Sequence, residues 1–279
     1  MRKITNDLIE KFKNFLLNEE KAVSTVDKYV HDVMMFSDWV KENEFDKTVV
    51  LNYKQELILR YAPASVNAAI SSLNSFFAFM EWHEIRIRAL KVQRQMFSSK
   101  EKELTKSEYE RLLTAAKKQN NERLYYLMQT ICSTGIRVSE IKYVTVEAIK
   151  SGKASICCKG KMRLVFFTKQ LCELLKGYTQ KNNIKSGSVF VTKNGKPLDR
   201  SNIWSEMKKL CEIAGVDKSK VFPHNLRHLF AITYYSLQKD IVRLADVLGH
   251  SNINTTRIYT IESGDTHRRQ LQKLGLLRC

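Results

Sequence analysis

The sequence predicts a mainly α-helical protein: an N-terminal helical bundle, then a larger, mostly helical α/β domain with one small β-sheet. Three observations predict this. The chain has 10 Gly and 3 Pro in 279 residues, so few positions interrupt a helix. Apolar residues recur at helical spacing over long stretches. One short segment near residue 160 carries the alternation of paired strands. An apolar content of 43% suffices for a real core in one or two domains.

The first helix is expected from about Asp7 to Leu17. The second is expected to start at Ser24 as N-cap, with Val26, Tyr29, Val30, Val33, Phe36 and Val40 on one face. A shorter helix covers roughly Thr48 to Leu59. The fourth opens with Pro63, suited to a first turn, and presents Val66, Ala69, Ile70, Leu73, Phe76, Phe77 and Met80. These four form a bundle over residues 1–85. Residues 86–103 then read as a linker: Arg86, Arg88, Lys91, Arg94 and Lys100 bring five basic side chains and no acid between Arg86 and Lys100. A solvated loop and a segment lying along a phosphate backbone both fit that pattern. At Thr105 a new helix begins, with Glu108 completing a capping box, and a second domain is expected over 104–279. Its β pair is read from Ala154–Cys158 and Arg163–Phe167 around a Lys159-Gly160-Lys161 turn; the rest is expected to be helical.

Composition narrows the partners. A formal charge of +18 and a pI near 9.6 suggest a polyanion, nucleic acid first and an anionic membrane surface second. No secretory signal and no apolar run of ~18 residues is present. The six Cys lack C-x-x-C and disulfide-framework spacing, so reduced thiols in a cytoplasmic protein are expected.

Four segments could carry chemistry: Thr134-Gly135-Ile136-Arg137-Val138-Ser139-Glu140, the Lys159 turn, Pro223-His224-Asn225-Leu226-Arg227-His228, and Leu248-Gly249-His250 with Tyr259 nine positions on. Singly, each has a bland reading. Arg137 and Glu140 could be a surface ion pair, Lys159 a solvated turn residue, His250 a packed histidine, and Tyr259 a core tyrosine. His224 and His228 could share a helix face as zinc ligands. However, the segment is not H-E-x-x-H, Arg227 would crowd the ion, and no third ligand is near, so no metal is expected. Together, two Arg, a Lys, two His and a Tyr are the parts needed to split a phosphodiester without metal or other cofactor. Guanidiniums match the charge on a pentacoordinate phosphorane, a Lys or His can protonate the departing oxygen, and a phenol can attack.

On these boxes the chain resembles the tyrosine recombinase family, which includes Xer recombinases and phage integrases. The likeness spans essentially the whole chain. The Thr-Gly-hydrophobic-Arg-x-Ser-Glu segment, the Lys-Gly hairpin, His-x-x-Arg, Leu-Gly-His and Thr-x-x-Tyr are all filled, in order. The resemblance implies a core DNA-binding bundle, a basic linker and a recombinase domain. It implies that Arg137 and Arg227 clamp the scissile phosphate, Lys159 is general acid, His224 accepts the tyrosine proton, His250 bonds the phosphate and Tyr259 is the nucleophile. Glu140 would orient the site and His228 would be structural. Arg86, Arg88, Lys91, Arg94, Lys161 and Arg163 would contact DNA. Two departures stand out: the Lys159–Arg163 turn is about one residue shorter than in many relatives, with Lys161 the alternative to Lys159, and Phe166-Phe167 stands where relatives usually place a Pro. No separate arm-site domain is expected ahead of the bundle.

The implied reaction is site-specific cleavage and rejoining of double-stranded DNA through a 3′-phosphotyrosine, for integration and excision of a mobile element or Xer-type resolution. The alternatives are a type IB topoisomerase-like nicking-closing enzyme and a catalytically silent DNA-binding regulator. The tail, with Arg268, Arg269, Leu271, Leu274 and Leu277, reads as a helix packed on its own domain or, by resemblance, on a neighbouring protomer. A monomer in free solution and a homotetramer on synapsed DNA are expected.

Overall fold

The computed structural model describes residues 2–41, 43–91, 102–158, 161–192, 194–259 and 272–273, with backbone alone for Cys158 and Lys161. Lys159, Arg94, Lys100 and the tail residues Arg268, Arg269, Leu271, Leu274 and Leu277 lie outside the described residues, as does the side chain of Lys161. The chain divides into two compact units, residues 1–94 and 95–279.

The first unit holds α1 (Asn6–Asn18), α2 (Val23–Val40), α3 (Lys47–Arg60) and α4 (Pro63–Phe79). Thr5 and Asp46 cap α1 and α3 through their side-chain oxygens, and Pro63 opens α4. The second helix departs from expectation. Ala22, not Ser24, is the N-cap, because the Thr25 and Val26 amides already bond the Ala22 carbonyl and draw Ser24 into the first turn. The apolar stripes converge on an aromatic core of Phe12, Phe36, Phe45, Phe76 and Phe77, with Phe12 and Phe76 edge to face at 5.2 Å. One polar link crosses this core: Ser72 donates to buried Asp32 at 2.6 Å, and Lys28 pairs with the same carboxylate.

Residues 86–91 are not a free loop. Asn74 on α4 both donates to the Ile87 carbonyl (2.7 Å) and accepts from its amide (3.0 Å). Asn67 treats Leu90 the same way, and Lys54 donates to the Arg88 carbonyl. Pinning the backbone leaves the side chains of Arg86, Arg88 and Lys91 exposed.

The second unit begins with α5 (Lys106–Lys118), whose Thr105–Glu108 capping box is fully formed. Helix α6 (Glu122–Thr134) buries Leu124, Leu127, Met128 and Ile131 at its centre. Then come α7 (Val146–Ser151) and an antiparallel hairpin of β1 (Lys153–Cys158) and β2 (Lys161–Phe166). The register pairs Ala154 with Val165 and Ile156 with Arg163, so these four share the inward face, whereas Met162, Leu164 and Phe166 are exposed. Helices α8 (Lys169–Lys181), α9 (Arg200–Ala214), α10 (Pro223–Gln238) and α11 (Ile241–Leu248) complete the unit. The expectation of helix outside the hairpin fails between α8 and α9. Gly187 and Gly195 take φ near +73° and +74° there, and the chain makes isolated bridges Thr145–Ser188 and Val191–Pro197 instead. Among the described residues, no helix is long and apolar enough to cross a membrane.

Candidate active site

Four local devices bring distant residues together. Helix α6 stops at Gly135, which takes φ +63° as a left-handed cap and turns the chain so that Arg137 starts a short 3-10 helix, Val138–Tyr143. Pro223 fixes the first turn of α10, placing His224, Arg227 and His228 along its opening turns. Gly249, again at φ +63°, ends α11 and delivers His250. Two further 3-10 turns, Ile253–Thr255 and Arg257–Tyr259, carry the chain to Tyr259.

Arg227 is the buried centre, with 2% exposure. Its fork donates to the Gly135 carbonyl (2.5 Å) and the Leu248 carbonyl (2.8 Å), and meets His250 Nε2 at 3.0 Å. Burial, followed by the Arg137 cation, lowers its pKa to about 10, so it remains charged at neutral pH. Arg137 is more open. One of its terminal nitrogens donates to Glu140 (3.0 Å), the other to the Gly249 carbonyl (3.1 Å), and its backbone amide also reaches Glu140 (2.9 Å).

A guanidinium only donates, so His250 Nε2 must accept from Arg227, which leaves the proton on Nδ1 to donate to the buried Thr256 hydroxyl at 2.9 Å. The pKa of His250 agrees with this neutral form: it is pushed down to about 4, first by desolvation and then by Arg227, Arg137 and Arg163. His224, exposed in the first turn of α10, is also held below its ordinary value, by desolvation and then by Arg227.

Tyr259 is buried against Ala231, Leu244 and Leu248. Its ring lies nearly parallel to His250 (6.1 Å, 14°) and meets His228 edge-on (5.0 Å, 63°). The structure therefore joins Arg137, Glu140, Arg227, His250 and Tyr259, with His224 one turn before His228 on α10. It adds two neighbours whose closeness spacing did not reveal, His228 and Thr256. Only the position of Thr256 in the Thr-x-x-Tyr segment hinted at it.

Arg163 departs from its expected place among the DNA contacts. Its guanidinium donates to Glu140 (2.5 Å) and to the Val247 carbonyl (2.9 Å), because the hairpin register turns it inward. Glu140 thus sits almost fully buried between two guanidiniums. Burial alone would raise its pKa, but the Arg137 amide and Arg163 hold it below the usual carboxylate range. Among the described residues no cluster of His, Cys, Asp and Glu could hold a metal ion.

The histidines give the free protein a pH dependence. His224, His228 and His250 all titrate lower in the folded site than in an unfolded chain, where imidazole titrates near 6.5. Below about pH 6.5 the unfolded state therefore binds more protons. The stability they contribute is complete above that pH and is lost as pH falls towards about 4 for His250. The DNA-free melting temperature should be level from pH 8 to 7 and fall by roughly several degrees by pH 5. His250→Gln should flatten that slope; a wild-type melting temperature that rises on acidification would contradict the assignment.

A helical domain that packs two guanidiniums and two imidazoles around one buried phenol has the architecture of the tyrosine recombinases. Comparison with known proteins agrees. The model of the "Phage integrase family" matches residues 102–264, and that of the "Phage integrase, N-terminal SAM-like domain" matches residues 9–84. The chain belongs to the phage integrase family and is a tyrosine recombinase. It is 28% identical to tyrosine recombinase XerA of Thermococcus kodakarensis, over 98% of this chain and 96% of the relative. It is 27% identical to tyrosine recombinase XerD of Vibrio cholerae, over 91% of each. Among solved structures, a lambda integrase tetramer bound to a Holliday junction shares the fold, with TM-score 0.74 and 17% identity over 92% of this chain and 78% of that one.

Proposed function

We propose that this recombinase cuts and rejoins double-stranded DNA at a specific site through a 3′-phosphotyrosine on Tyr259. The observation that carries the proposal is the hydrogen-bonded group of Arg137, Arg227 and His250 beside the Tyr259 ring, assembled from four separate stretches of chain. Arg137 and Arg227 bind the non-bridging oxygens of the scissile phosphate, where a planar fork is the best match for developing charge. Tyr259 Oη attacks phosphorus and passes its proton to His224, whose low pKa keeps it neutral and able to accept. The bond from phosphorus to the 5′ oxygen breaks, and Lys159 supplies that oxygen's proton. His250 hydrogen-bonds the phosphate once DNA is bound, when its Nε2 exchanges the Arg227 contact for a proton that it donates to a phosphate oxygen, while Nδ1 stays on Thr256. Reversal by a 5′ hydroxyl from the partner duplex restores the diester and frees Tyr259. One phosphodiester is exchanged for another, so no ATP is needed.

In this reading residues 1–85 bind the core site, the 86–103 segment lies on phosphates through Arg86, Arg88, Lys91 and Arg94, and Lys161 adds a further contact. Residues 104–279 catalyse. Four protomers assemble on two synapsed duplexes through their tails, and the protein is monomeric away from DNA. The cytoplasm is its place of action. Arg163 is not retained as a DNA contact, because its donors face Glu140 and Val247.

A nicked suicide substrate tests the proposal, because loss of a short 5′ fragment traps the covalent intermediate. A denaturant-stable adduct should accumulate in excess EDTA, since two Arg and a Lys supply the charge that Mg²⁺ supplies elsewhere. An adduct that needs added Mg²⁺ or Zn²⁺ would overturn this chemistry. Relaxation of supercoils without exchange between paired sites would point instead to nicking-closing activity, and DNA binding without any adduct to a silent regulator.

A further inference from the structure

We propose that Arg163 is a positioning residue for the phosphate clamp, acting through Glu140 and through the C-terminal end of α11; this rests on the reading of Arg137 and His250 given above. Three observations converge. First, Arg163 and Arg137 share one buried carboxylate: Glu140 accepts from Arg163 on one oxygen (2.5 Å) and from the Arg137 side chain on the other (3.0 Å). Without Arg163, that carboxylate loses one of its two cationic partners and is free to draw Arg137 towards itself and away from a phosphate.

Second, Arg163 also donates to the Val247 carbonyl at 2.9 Å, one residue before the Leu248 carbonyl that Arg227 holds. The last four carbonyls of α11 lack partners within the helix; the Gly249 and His250 amides take Asp246 and Ala245, and the two arginines take Val247 and Leu248. The end of α11 that delivers His250 is thereby fixed from both sides. Third, Gly249 is shaped around this side chain. A Cβ there would run into Arg163 Cδ, and φ is +63°, so the Leu-Gly-His segment admits Arg163 only because Gly249 lacks a side chain. A lysine could meet Glu140, but it lacks a planar fork that also reaches Val247.

The test compares single-turnover cleavage of two nicked substrates by Arg163→Ala: one with an ordinary scissile phosphate, the other with a methylphosphonate, in which a neutral methyl replaces one charged oxygen. A misplaced clamp should cost about 100-fold on the phosphate. On the methylphosphonate, where there is little charge left to clamp, the variant should come within about 3-fold of wild type. The ratio between substrates is internal to one preparation and cancels any fraction of inactive protein. An equal loss on both substrates, or no loss on either, overturns the positioning role. If Arg163→Ala does not fold, Arg163→Lys, which keeps a cation beside Glu140, should show a smaller substrate-dependent loss, and equal effects on both substrates would again overturn it. Failure of wild-type protein to form the Tyr259 adduct would instead sink the underlying reading.

Discussion

Replacing Tyr259 by phenylalanine is expected to abolish the covalent protein–DNA adduct while leaving fold and DNA affinity intact. The ring packs on Ala231, Leu244 and Leu248 and contacts the imidazoles of His228 and His250, and phenylalanine keeps all of these contacts. Only the phenolic oxygen is lost, at a stability cost of about 1 kcal/mol or less. Without a nucleophile there is no phosphotyrosine, so adduct formation on a suicide substrate should fall by at least about 10³-fold. Binding, which the proposed function assigns to phosphate contacts and to the first unit, should stay within a few fold. A denaturant-stable adduct on the phenylalanine variant would remove Tyr259 from the nucleophile's role.

Arg227 should show the second large effect, and unlike Tyr259 it should affect stability as well as chemistry. Its fork satisfies the Gly135 and Leu248 carbonyls in the interior and meets His250. Arg227→Ala leaves both carbonyls without that donor, and hydrogen bonds to a charged group contribute about 1.5–3 kcal/mol each. A loss of roughly 3 kcal/mol or more is expected, visible as a lowered melting temperature in calorimetry. Arg227→Lys should recover part of that stability, since an ammonium reaches one carbonyl. It should not recover cleavage, because one point charge cannot hold the carbonyls and grip a phosphate on two oxygens. We expect both variants to cleave at least about 100-fold more slowly than wild type. Wild-type cleavage by Arg227→Lys would mean that the guanidinium serves the fold alone.

The sequence-level reading reached the helical class, the bundle, the hairpin and most of the site because each rests on local rules. Thr105 and Glu108 announce their helix by spacing alone, and the capping box they form is complete. The second and fourth helices of the first unit bury most of the residues their periodicity marks, with Tyr29, Val30 and Met80 packed partly buried against the same core. Arg137, Arg227, His250 and Tyr259 are legible because each lies in a short box whose order along the chain can be matched. Local rules also set the limits. Ser24 is a good cap by residue type, yet the Ala22 carbonyl accepts the first helical bonds. The segment from Arg86 to Lys91 reads as a solvated loop or as a segment lying along phosphates, and neither reading shows that asparagines 13 and 23 positions away hold its backbone.

What the sequence by itself determined is therefore most of the element types, the family and the identity of the groups that could do chemistry. The tertiary structure decided how those groups are held. An inward-facing register turned Arg163 from a surface cation into a partner of Glu140. A left-handed glycine at the end of each of two helices brought the carbonyls of Gly135 and Leu248 onto one buried guanidinium, although 92 and 21 positions separate them from Arg227. The physical reason is range. Caps, turns and amphipathic faces are set by neighbours within a few residues, and the sequence displays them directly. The value of a buried charge is set by whichever distant groups satisfy its hydrogen bonds, and packing alone selects those.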